Sequence, residues 1–200
     1  GDHELMDWVL LGKEGFTGFA EQYFTRDGFW YETAPSYANM AIDPIVPLVM
    51  ALSGYTDPAS YQGKDRYDRL DPFKRVPSLK GIFMGMVPAI LPTGFLPAIN
   101  DSSFNARASL GPVEWVAAAQ PDEENLRALS RVYAKSGIAG GNEFSMLLRD
   151  PNIDLETALP VPERLTRSTV LPGAGWMILR RPETAARSAL VLHYGGDVGG

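Results

Sequence analysis

The stretch "DGFWYETAPSYANM", Asp27–Met40, places Phe29, Trp30, Tyr31, two carboxylates and Pro35 just ahead of an apolar helical run. A helix start needs only a capping residue and small neighbours. Pro35 suits the first turn, where its missing N–H costs nothing. The rings answer no such need. Large side chains with polar tips at this position predict either a packed corner or the wall of a site.

Upstream of this point the pattern predicts a short helix over 4–12, closed by Gly12, and a second over 14–25. Phe16, Phe19 and Tyr23 fall three and four apart, so the second helix carries an aromatic stripe that reads as core. Gly28 punctuates the turn that follows. Downstream, the helix beginning at Pro35 runs to about Leu52, with a kink or break expected at Pro44 and Pro47. Residues 55–71 are polar, charged and rich in tyrosine, and a connection of that length is usually functional or mobile. A second helical block covers 72–91, punctuated by Pro77 and Pro88. A turn-rich segment, "PTGFLPAINDSSFNA", leads to helices over 113–120, 121–135 and 142–150. Asp122, Glu123 and Glu124 crowd the positive end of the second of these, and Leu126, Leu129, Val132 and Tyr133 give it a buried stripe.

The character changes after Pro151. Residues 151–166 carry three prolines and read as a linker. "STVLPGAGWMILRR" has the form of a hairpin, and "SALVLHYGG" reads as a further strand. The expected organisation is therefore mainly α followed by β: a helical domain over 1–150, a linker over 151–166, and the start of a β domain over 167–200. A few strands alone are marginal in water, so the natural chain is expected to continue.

Composition excludes several classes. The chain has 200 residues, 45% hydrophobic and 21% charged, which fits a globular protein rather than a disordered one. A net charge of −6 argues against a nucleic-acid partner. With no cysteine there is no disulfide, thiol catalysis or zinc ribbon. His3 and His193 stand at opposite ends, so no metal is expected within these residues. No apolar run reaches the roughly 18 residues of a membrane span, and no leader-peptide pattern is visible.

Three stretches, in order, resemble the heparinase II/III-like polysaccharide lyases, a group that includes oligoalginate lyases. "DGFWYETAPSY" resembles their "DG-F-W-x-E-x-x-P-x-Y" segment. "GFLPAINDSS" resembles the "G-x-x-P-x-x-N/G-D-S" segment that follows. "TVLPGAGWMILRR…LVLHYGGDVGG" resembles their passage from helical toroid to β-sandwich. The resemblance implies part of an (α/α) toroid with the first strands of an antiparallel β-sandwich, and cleavage of a uronic-acid-containing polysaccharide by β-elimination. It further implies a periplasmic or secreted protein with an acidic polysaccharide or oligosaccharide as partner. An upstream Asn or Asn-His site and a downstream "H-x-H-x-D"-like motif are expected beyond this chain. The latter can hold a metal ion, zinc, in the sandwich. These residues alone are expected to be inactive. One departure is Ala38, which follows the motif tyrosine where the family often has histidine.

Within that resemblance Tyr37 matches the catalytic tyrosine. Tyrosine suits a general acid, since its reference pKa of about 10 keeps it protonated at neutral pH. The plainer reading is a ring at a helix start with its hydroxyl in water. Trp30, Tyr31, Glu32, Asn100 and Asp101 are the substrate-binding candidates. Trp30 and Tyr31 can stack on sugars, or staple the helix start. Glu32 can bond a sugar, orient Tyr37, or be merely solvated. Asn100 and Asp101 commonly serve the local backbone in such turns. Arg66, Arg69, Lys74 and Arg75 can meet an anionic chain, but Asp65, Asp68 and Asp71 interleave with them, as on a solvated mixed-charge face. His193 reads as structural. Two other functions stay open: an (α/α)-barrel glycoside hydrolase using Glu32 and Asp101, and a non-catalytic carbohydrate-binding protein.

Overall fold

The computed structural model describes residues 2–136, 147, 167–181 and 188–195, with side chains omitted for 134–136. The linker over 151–166 and all but Leu147 of the helix expected at 142–150 lie outside the described residues. Eight α-helices precede three strands among the described residues: α1 Asp2–Leu11, α2 Phe16–Gln22, α3 Pro35–Ile42, α4 Ile45–Leu52, α5 Pro72–Arg75, α6 Leu79–Met84, α7 Leu110–Ala119, α8 Glu123–Ser136, β1 Thr169–Leu171, β2 Trp176–Arg180 and β3 Ala189–His193. None of these helices is long and apolar enough to cross a membrane.

Prolines divide the helices as their chemistry requires. α3 ends at Ile42 and α4 begins at Ile45, so the break falls at Pro44. Pro47 breaks nothing because it lies in the first turn of α4, where an N–H has no intrahelical acceptor. At Asp71-Pro72 the aspartate side chain accepts from the N–H groups of Phe73 and Lys74, a local cap that starts α5. The 72–91 block is three short pieces, α5, α6 and a 3₁₀ turn Val87–Ala89, separated around Pro77 and Gly85. In α8, Leu129 and Val132 are buried, and Asp122 accepts from the N–H of Asn125 in its first turn.

The second helix is shorter than its periodicity predicts. It stops at Gln22 because the chain turns back on itself over 23–31. Phe24 and Trp30 form an antiparallel bridge, the N–H of Tyr31 donates to Tyr23 O (2.9 Å), and that of Thr25 donates to Phe29 O (2.8 Å). Gly28 makes the turn at φ +80°.

The strands form one antiparallel sheet in the order β1-β2-β3, with Leu171 opposite Trp176 and Trp176 opposite His193. Its inner face carries Leu171, Trp176 and Ile178, all buried in the same core as the helices. Phe29 meets Trp176 edge to face at 4.7 Å, and both rings are fully buried. The Asp27 carboxylate accepts from Ala174 N–H in the β1–β2 turn (3.0 Å). Arg180 reaches across to the carbonyls of Pro88 and Ile90, where Arg131 also donates to Ile90. Burial, with Arg131 beside it, pushes the Arg180 guanidinium down to about 10, so it stays charged near neutral pH. The outer face differs: Val170, Leu179, Leu190 and Leu192 are all exposed there.

Candidate functional site

The stretch 27–40 splits its aromatics by direction. Phe29 enters the core against Trp176. Trp30 turns to α2 instead, stacking on Tyr23 (5.6 Å, 18°) and meeting Phe19 and Phe24. Tyr31 lies 4.9 Å from the Trp30 ring and is exposed, as is Tyr23. The expected core stripe on α2 is buried only at Phe16; Phe19 is half-buried and Tyr23 joins the surface cluster.

Glu32 ties this cluster together. Its carboxylate accepts from Trp30 Nε1 (3.0 Å) and from the Tyr31 hydroxyl (3.3 Å). It does not bond Tyr37. The Glu32 charge, with desolvation and the shared hydrogen bond adding to it, pushes the Tyr31 hydroxyl above the usual tyrosine range. Tyr31 is thus held protonated, poorly suited to act as a base.

The helix behind them has an unusual start. Its N-cap residue is Ala34, which has no side-chain acceptor. The acceptor comes from 66 residues away: Ser102 Oγ takes the Ser36 N–H (3.2 Å) and also bonds Ser36 Oγ (3.1 Å), which itself accepts from Ser103 N–H (3.0 Å). One residue on, Tyr37 is 37% exposed, and no hydrogen bond among the described residues engages its hydroxyl.

Asn100 anchors the same loop. Its side-chain amide donates to Glu32 O and to Thr33 Oγ1, both at 2.9 Å. Both Asn100 and Thr33 sit at positive φ, 53° and 56°. Asn100 therefore serves distant backbone rather than its own turn. Its amide hydrogens are spent in holding 32–33, which makes it a positioning residue for Glu32. Asp101 is exposed beside it. We expect Asn100→Ala to destabilise the protein by about 2–3 kcal/mol, from two hydrogen bonds at about 1 kcal/mol each plus left-handed strain of about 1 kcal/mol. Asn100→Gly loses the bonds without the strain and should cost less. Melting curves of the pair test this, and an unchanged Tm for Asn100→Ala would show that the loop is held by something else.

Folding thus gathers Trp30, Tyr31, Glu32, Tyr37, Asn100 and Asp101 around one helix start. Tyr23, Thr33, Ser36, Ser102 and Ser103 also belong there and were not singled out by the sequence as part of it. The only hint was the "NDSS" run itself. An apolar groove of about 460 Å³, lined by Trp8, Phe16, Phe19, Ala41, Pro44 and Leu48 among others, contains none of the candidates. Of the basic residues in and after the long connection, Arg66 donates to the carbonyls of Asp57, Pro58 and Tyr61, Lys74 pairs with Asp71 at 3.6 Å, and Arg69 and Arg75 are exposed. His193 is exposed at the end of β3. Comparison with protein-family models, with curated proteins and with solved structures returns no match.

Proposed function

We propose that this chain is part of a polysaccharide lyase that cleaves a uronic-acid-containing chain by β-elimination, with Tyr37 transferring a proton. The observation that carries the reading is the α3 start. A tyrosine hydroxyl without a hydrogen-bond partner among the described residues stands one residue from a helix turn pinned by a distant loop. An aromatic surface tied by Glu32 lies just upstream. β-Elimination breaks the C–H bond beside the uronate carboxylate and the C–O bond to the leaving sugar, forming a C=C bond. A base must take the first proton, and an acid must protonate the departing oxygen. Tyr37 is free to do either, while Tyr31 is locked as a donor to Glu32. Trp30 and Tyr31 offer ring faces for sugar stacking, with Tyr23 extending that surface. Asn100 and Asp101 flank it, with Asn100 setting the backbone of Glu32.

The engaged state of Glu32 favours elimination over hydrolysis. A glycosidase requires two carboxyls free to act as acid and as base or nucleophile, and both oxygens of Glu32 already accept hydrogen bonds. The wider architecture belongs to the same proposal. The helices form part of an (α/α) toroid, and the sheet is the first layer of a β-sandwich. The exposed apolar residues on the outer sheet face support the second point, because a second sheet packed on that face would bury them. The setting is periplasmic or secreted, with an acidic polysaccharide as substrate.

The decisive experiment mixes the full-length protein with alginate, heparan or hyaluronan oligomers and follows ultraviolet absorbance of the unsaturated product. Absorbance growth that tracks chain cleavage is expected. Reducing ends released without absorbance would mean hydrolysis. Binding without turnover would mean a carbohydrate-binding protein built on Trp30 and Tyr31.

A further inference from the structure

We propose that His3, Asp7 and Asp65 form a binding site for one first-row divalent metal ion of the zinc class, which clamps α1 to the connection over 55–71. The site is independent of the lyase reading. His3 sits in the first turn of α1 and is buried. Its Nε2 faces Asp65 Oδ2 at 3.2 Å and Asp7 Oδ2 at 3.4 Å, and one donor atom from each of the three residues lies within 4.8 Å of the others. Tetrahedral zinc with bonds of about 2.0–2.1 Å separates its ligand atoms by about 3.3 Å, and the two distances from His3 Nε2 to the carboxylates already match that spacing. A hydrogen-bonded explanation is incomplete, since Nε2 can carry one proton and two acceptor oxygens face it.

Every donor also has a partner that fixes its other atom, as metal ligands characteristically do. His3 Nδ1 bonds Asp57 Oδ2 at 2.7 Å. Asp57 is a fully buried carboxylate that further accepts from Tyr67 N–H (2.7 Å) and the Tyr55 hydroxyl (3.0 Å). Without an ion, Nε2 donates to Asp65; on metal binding that proton would leave, and Asp57 would keep the remaining proton of neutral imidazole on Nδ1, so that the Nε2 lone pair faces the ion. Tyr61 donates to Asp65 Oδ1 (2.6 Å) and Tyr67 donates to Asp7 Oδ1 (2.7 Å), so in each case Oδ2 is the oxygen left for the ion. Tyr61 also stacks on the imidazole at 3.9 Å.

Charge points the same way. Three carboxylates, Asp7, Asp57 and Asp65, surround one imidazole, and among the described residues no Lys or Arg ion pair reaches them. The nearby Arg66 guanidinium is spent on carbonyls. One nitrogen and two oxygen donors select a borderline cation over calcium or magnesium, which prefer all-oxygen shells. The Asp65 side chain is 66% exposed, so the fourth position opens to solvent. No metal was expected within these residues, because the two histidines stand at opposite ends of the chain. Asp57 and Asp65 reach His3 from 54 and 62 positions along the chain, and Asp7 stands four positions away on α1.

The test strips the full-length protein with chelator and titrates it with Zn²⁺ by calorimetry, and with Co²⁺ by its visible absorption. Ca²⁺ and Mg²⁺ are run alongside. One equivalent of Zn²⁺ or Co²⁺ is expected, with a tetrahedral-type Co²⁺ spectrum and a raised Tm. Asp65→Asn, at an exposed position that should not disturb folding, is expected to weaken binding at least tenfold and to abolish the Tm rise. Tyr61→Phe keeps all three ligands and should still weaken binding about tenfold. His193→Gln should change nothing. No binding of Zn²⁺ or Co²⁺, equal binding by Asp65→Asn, or a preference for Ca²⁺ or Mg²⁺ would overturn the proposal. The cluster would then be an imidazolium caged by carboxylates.

Discussion

Tyr37→Phe is expected to lower the rate of unsaturated-product formation by the full-length protein about 10²- to 10⁴-fold, the usual worth of a positioned general acid or base. The substitution removes one oxygen and keeps the ring. No hydrogen bond among the described residues is lost with that oxygen, and the ring is 37% exposed, so the melting curve should not move. Substrate binding should also survive, because the lost interaction belongs to the transition state. Tyr31→Phe is the informative comparison. Its hydroxyl is already committed to Glu32, so its removal should change affinity more than turnover. If Tyr37→Phe keeps more than about a tenth of the rate, the proton is moved by another group, and Tyr37 is only a ring at a helix start.

Local chemistry was legible in the sequence wherever a feature needs only its neighbours. Pro44 divides two helices, a new helix begins at Pro72, and the Pro-Gly-Ala-Gly run turns β1 into β2. Features that depend on distant partners were not legible. The α3 cap is Ser102, and nothing near Ala34 announces it. Periodicity put Tyr23 in the core with Phe16, but the return of the chain over 24–30 ends α2 early and sets Tyr23 against Trp30. The 55–71 connection read as long and polar. It is held at its base by hydrogen bonds between Gly54 and Leu70, Tyr55 and Leu70, and Asp57 and Tyr67. Its tyrosines are spent on carboxylates at His3. The candidate site was visible as a list of residues. Its organisation was not, because Glu32 bonds the rings beside it rather than Tyr37, and Asn100 reaches back 68 positions to hold Glu32.

Gly28→Ala is expected to destabilise the protein by at least about 3 kcal/mol, among the larger effects a single methyl can have. Two causes add at this position. The backbone stands at φ +80°, where an L side chain costs about 1–2 kcal/mol. A Cβ here would also lie 2.0 Å from Gly81 O and 3.0 Å from Ile82 Cα, in the backbone of α6, which cannot swing aside as a side chain can. Gly85 repeats the constraint from the other side, since its own Cβ would meet Asp27 O at 2.6 Å. The turn and the helix must therefore separate. Asp27 and Phe29 sit on either side of Gly28 and hold the sheet through Ala174 and Trp176, so the displacement reaches the helix–sheet contact as well as the start of α3. Gly54→Ala separates the two causes: Gly54 has nearly the same φ, +75°, but a Cβ there meets nothing within 4 Å. It should cost only the backbone term, about 1–2 kcal/mol. Denaturant unfolding of both variants gives the difference. Equal losses would mean that the 27–28 turn does not press on α6, and the contacts through Asp27 and Phe29 would then need another anchor.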